Sequence, residues 1–93
     1  ITELLKVIDA AELAGVSVMP HSPYFGPGLL ATLHVIAACA PDSLAERFYV
    51  QPEALLYDEW SHPKAGVFQV PTGPGLGVEP DVNVIADYGV GKI

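Results

Sequence analysis

Ninety-three residues suffice for one small domain with a modestly stable core. Hydrophobic residues make up 51% of the chain and charged residues 16%, an apolar excess that a small domain cannot easily hide, so part of its surface is expected to meet other polypeptide. The formal net charge is −7, and the four basic residues, Lys6, Arg47, Lys64 and Lys92, are scattered, which argues against nucleic acid or an anionic membrane surface as a partner.

Leu4, Leu5, Ile8 and Ala11 recur at helical spacing, with Glu3, Lys6, Asp9 and Glu12 on a solvated face, and predict a helix over residues 2–13. Thr2 is placed to cap its start and Gly15 to stop it. Residues 16–19, Val-Ser-Val-Met, predict a short strand that Pro20 ends. Residues 20–28 are rich in turn formers and read as a loop leaving the C-terminal end of that strand.

Pro27 suits a first helical turn, and Leu29, Leu30, Leu33, Ile36 and Ala37 supply an apolar face for a helix running to about Cys39. The apolar stretch over residues 29–40 is interrupted by Thr32 and His34 and falls short of the ~20 residues that cross a bilayer. Cys39, the single cysteine, reads as a small core residue, and a reducing cytoplasm fits it. After the break at Pro41-Asp42-Ser43, residues 44–50 predict a second strand. The order helix, strand, loop, helix, strand points to parallel α/β architecture, which needs further strands and covering helices.

Residues 51–66 read as an irregular excursion with room for a short strand. Residues 67–70 predict a strand, Thr72-Gly73-Pro74-Gly75-Leu76-Gly77 a turn-rich loop, and Pro80-Asp81 the opening of a last helix through Tyr88. A phosphate-loop reading of the glycines fails because Pro74 removes an amide donor and no Lys-Ser/Thr pair follows; the glycines are expected to permit a tight backbone path. The start at Ile1, with no leader-like segment before the first helix, leads to the expectation that the chain is entered in mid-architecture.

Two polar residues lie where parallel α/β barrels carry their chemistry, at or after strand C-terminal ends. His21 directly follows the first predicted strand, and Glu46 lies within the second. A histidine can take a proton from the carbon beside a carboxylate, and a carboxyl kept protonated by burial can hydrogen-bond the developing oxyanion. The plainer alternatives are a structural or exposed His21 and a Glu46 that pairs with Arg47 or another cation. His34 is expected to pack in its helix and hydrogen-bond locally, and His62 to sit in a surface turn. No histidine or cysteine spacing suggests a self-contained metal site.

The ordered set of Met19-Pro20-His21-Ser22, Gly26-Pro27-Gly28, Ala45-Glu46-Arg47 and Pro74-Gly75-Leu76-Gly77-Val78 resembles the C-terminal part of the mandelate racemase/muconate lactonizing enzyme branch of the enolase superfamily. The resemblance implies the last helices and strands of a modified eight-stranded TIM-type barrel over residues 1–66, and over residues 67–93 a tail returning to an α+β capping domain. His21 would end the seventh strand as the base, and Glu46 on the eighth would be the acid that hydrogen-bonds the substrate carboxylate.

The loop residues Tyr24 and Phe25 would lie near the substrate. The resemblance also implies magnesium (Mg2+), with its three carboxylate ligands on earlier strands outside this chain, and a second base and the aspartate partner of the histidine also outside it. The expected activity is proton abstraction alpha to a carboxylate, in a sugar-acid dehydratase or a racemase/epimerase. Its partners would be a small-molecule carboxylate, the rest of the same enzyme and further copies in a homo-oligomer. The competing readings are a non-catalytic packing or assembly element and a small independent α/β binding module.

Overall fold

The computed structural model describes residues 1–22 and 24–91; Pro23 of the expected loop and Lys92 and Ile93 of the expected tail lie outside them. Among the described residues three helices form, α1 (Thr2–Leu13), α2 (Pro27–Cys39) and α3 (Val82–Tyr88), with a 3₁₀ turn at Asp58–Ser61. Each helix occupies the span its sequence pattern predicts, and the 3₁₀ turn stands where the excursion left room for a strand.

The helix ends show why. Gly15 takes φ +66°, its amide donates to Glu12 O at 3.0 Å, and the Val16 amide donates to Ala11 O at 2.9 Å. This paired closure satisfies carbonyls that would otherwise be orphaned at the end of α1. Thr2, expected as the cap, is the first helical residue instead; Ile1 holds the cap position and no side chain caps the helix. Pro27 occupies the first turn of α2, where its missing amide costs no helical bond. Asp81 caps α3, its Oδ1 accepting from the Asn83 amide at 2.8 Å and the Val84 amide at 3.4 Å.

The core gathers on α2. Leu29, Leu30, Leu33, Val35 and Ile36 are buried, with Ile8 of α1 and Tyr57 beside the 3₁₀ turn. Each leucine so buried contributes roughly 1.5 to 3 kcal/mol of apolar transfer free energy. Cys39, expected in the core, is exposed at the end of α2; it shares the face of the buried Val35 and Ile36, and among the described residues nothing packs over that face at the last turn.

The strands expected over residues 16–19, 44–50 and 67–70 do not form. Among the described residues the only β pairing is an isolated antiparallel bridge between Lys64 and Val67. A parallel strand closes its backbone hydrogen bonds only on neighbouring strands, and these segments have too few neighbours among the described residues. Residues 18–22 and 43–46 nevertheless run side by side and in the same direction. The Ser43 hydroxyl donates to Val18 O, and the Ser22 amide donates to Glu46 Oε2 at 2.9 Å.

The later chain folds back over α2 and the excursion. His34 Nε2 lies 2.9 Å from Leu76 O, and the Asp81 amide donates to Leu56 O at 2.8 Å. His34 therefore bonds a carbonyl far along the chain rather than a local group. Gly77, at φ +88°, packs so tightly on Pro71 that an added Cβ would stand 2.6 Å from the proline Cβ, the close backbone path anticipated for these glycines. No helix among the described residues is long and apolar enough to cross a membrane.

Candidate active site

His21 leaves the end of the 16–20 segment and Glu46 stands on the 43–50 segment. The parallel course of the two brings His21 Nδ1 to 2.6 Å from Glu46 Oε2. The same oxygen accepts the Ser22 amide. One carboxylate oxygen thus grips both the imidazole and the backbone that carries it, and charge-assisted bonds of this kind are among the stronger ones.

A proton on Nδ1 directed at the carboxylate leaves Nε2 of a neutral imidazole as a free lone pair. Among the described residues both contacts of Glu46 fall on Oε2 and none on Oε1. Glu46 does not pair with Arg47, the plainer alternative for it.

The His21 side chain is 75% exposed and that of Glu46 31%, so the pair stands at an open surface. Hollows lie elsewhere among the described residues. One of about 360 Å³ is bounded by α1, residues 16–18 and residues 39–43, one of about 380 Å³ by α2, Leu44, Ala45, Arg47 and residues 63–70, and one of about 340 Å³ by α1, α2 and residues 75–76; neither His21 nor Glu46 lines them. Ser22 is buried at 2% exposure, and its hydroxyl has no hydrogen-bond partner among the described residues.

Of the two expected substrate contacts, Tyr24 is exposed and its ring lies against Gly28. Phe25 is half-buried, with the Arg47 guanidinium carbon 5.3 Å from its ring centroid, within cation–π range. Its carbonyl accepts from the Ser61 hydroxyl at 3.2 Å.

The hydrogen-bond network of Arg47 escaped the sequence reading. Its Nε donates to Ser61 O at 3.1 Å, Nη1 to Phe48 O at 3.0 Å, and Nη2 to Gln51 Oε1 at 3.0 Å and His62 Nδ1 at 3.2 Å. A guanidinium can only donate, so His62 accepts on Nδ1 and carries its proton on Nε2, which faces Asp58 Oδ1 at 4.0 Å. His62, expected in a surface turn, stands in a bend after the 3₁₀ turn, half-buried against Arg47. The available signal was position: Arg47 is the only arginine, and in extended backbone it must leave on the side opposite Glu46.

Among the described residues no group of three or more His, Cys, Asp or Glu side chains is arranged to hold a metal ion. Glu46 is a single carboxylate with no second acidic side chain grouped beside it, so the described residues by themselves do not make up a magnesium site.

The family model described as enolase C-terminal domain-like matches residues 1–84. The chain belongs to that family, in the mandelate racemase/muconate lactonizing enzyme branch of the enolase superfamily. No curated protein and no solved structure matches it.

Proposed function

We propose that His21 and Glu46 serve an enolase-superfamily enzyme that removes the proton alpha to a carboxylate. The resulting enediolate either expels water, as in dehydration of a sugar acid, or regains the proton on the other face, as in racemisation or epimerisation. The observation that carries the reading is the 2.6 Å contact between His21 Nδ1 and Glu46 Oε2, made between residues 25 positions apart in a chain of this family.

In this reading the Glu46 contact orients the imidazole, and His21 Nε2 takes the alpha proton. A Glu46 carboxyl protonated on Oε1 would donate to the substrate carboxylate while Oε2 keeps both its present bonds. Tyr24, exposed in the same loop, and Phe25 would contact the substrate.

The setting belongs to the same proposal. Residues 1–66 would form the last helices and strands of the barrel and residues 67–93 the tail toward the capping domain. Neighbouring barrel polypeptide would pair the 16–22 and 43–50 segments and enclose His21. The exposed apolar side chains Val16, Met19, Leu44 and Tyr49 support such a cover. Magnesium ligands would come from that neighbouring polypeptide, and a cytoplasmic homo-oligomer acting on a small carboxylate is the working form.

Replacing His21 with Asn in the full polypeptide tests the assignment. Exchange of the substrate's alpha hydrogen with deuterated solvent, followed by NMR over a panel of sugar acids and 2-hydroxy acids with magnesium, is expected to fall by about 10² to 10⁴. Undiminished exchange removes His21 as the base.

A further inference from the structure

Glu46 and Arg47 are adjacent, and their side chains reach two points of one loop. Glu46 Oε2 holds His21 and the Ser22 amide. Arg47 holds Phe25, with its guanidinium against the ring and its Nε on the carbonyl of Ser61, whose hydroxyl donates to Phe25 O. Ser61 is fully buried, so this link runs through a packed interior where an unpaired polar group is costly.

We propose that Arg47 and Ser61 are positioning residues which, by fixing Phe25, hold His21 and Ser22 in register with Glu46. The planar fork matters more than the charge. Three of the four hydrogen bonds of Arg47 run to Ser61, Gln51 and His62, in directions that a single ammonium cannot serve together. The half-buried guanidinium thereby ties the 43–50 segment to the 3₁₀ turn and to the loop that carries the base. The importance of this clamp for catalysis rests on the function proposed for His21; its mechanical part does not.

Hydrogen–deuterium exchange of the Ser22 amide in the full polypeptide, read by mass spectrometry on overlapping peptides, separates the two. With Arg47→Met the Ser22 amide should exchange about tenfold faster as its bond to Glu46 loosens, while the Leu33 and Ile36 amides in α2 keep their rates. Arg47→Lys should behave like Arg47→Met. Unchanged Ser22 exchange in Arg47→Met, or full restoration by Arg47→Lys, overturns the proposal.

Should Arg47→Met loosen α2 as well, Ser61→Ala takes its place. That variant retains the carbonyl used by Arg47 and removes only the hydroxyl bond to Phe25; faster Ser22 exchange supports the clamp and an unchanged rate overturns it. In alpha-hydrogen exchange, the clamp variants should lower kcat by about tenfold with little change in KM. If the unaltered protein shows no alpha-hydrogen exchange over the substrate panel, the proposed function fails while the Ser22 amide still decides the clamp.

Discussion

Helix α2 and the paired segments over residues 16–22 and 43–50 solve the same problem in opposite ways. The helix closes its backbone hydrogen bonds within its own residues and the flanking Gly26 and Ala40 and buries Leu29 and Leu30 almost completely. The two segments run parallel but are joined through side chains, Ser43 on Val18 O and Glu46 on the Ser22 amide, and leave Leu44 and Tyr49 exposed. A helix is complete once its own residues are present, whereas a parallel strand needs neighbours on both sides. The proposed chemistry stands on the segments that need neighbours.

The contrast can be broken most directly in the helix. Leu30→Ala should cost roughly 2 to 5 kcal/mol through lost burial and a residual cavity, measured by denaturant unfolding of the full polypeptide. An effect below about 1 kcal/mol would show that α2 is not the centre of the core. The segments should respond less. Ser43→Ala removes the bond to Val18 O and is expected to cost about 1 kcal/mol; a larger loss than Leu30→Ala in the same assay would reverse the order of the two regions.

Gly15→Ala sharpens the comparison at the junction of α1 with the first segment. An added Cβ meets no atom within 4 Å there, so the expected loss of about 1 kcal/mol arises from the positive φ alone. Asp81→Ala should cost a similar ~1 kcal/mol by freeing the first amides of α3, and it should appear as faster amide exchange at Asn83 and Val84. The smallest effect is expected at Lys6→Ala. Its 2.8 Å pair with Glu3 is exposed on both sides, and the change in stability should stay below about 0.5 kcal/mol.

The helices were legible because their signals are local. Apolar spacing, Pro27, the Gly15 stop and the Asp81 cap all act within a few residues of what they determine. Strand-like composition at residues 16–19, 44–50 and 67–70 was equally visible, but hydrophobic alternation declares a preference, and pairing is decided by what lies alongside. At the site, His21 and Glu46 could be singled out by where they fall relative to strand ends. The network of Arg47 could not, since its partners Phe25, Ser61 and His62 belong to segments that carry no periodicity. Cys39 misled because its alanine neighbours resemble a core, and it does share the face of the buried Val35 and Ile36, but whether other chain covers the last turn of that face is not a local property.

The contact between His34 and Leu76 spans 42 positions of chain, and closing a flexible loop of that length costs on the order of 3 kcal/mol in entropy. One hydrogen bond returns about 1 kcal/mol. The imidazole therefore registers the docking of the tail and does not drive it, and its Nε2 proton resonance offers a built-in gauge of how firmly the returning chain is seated.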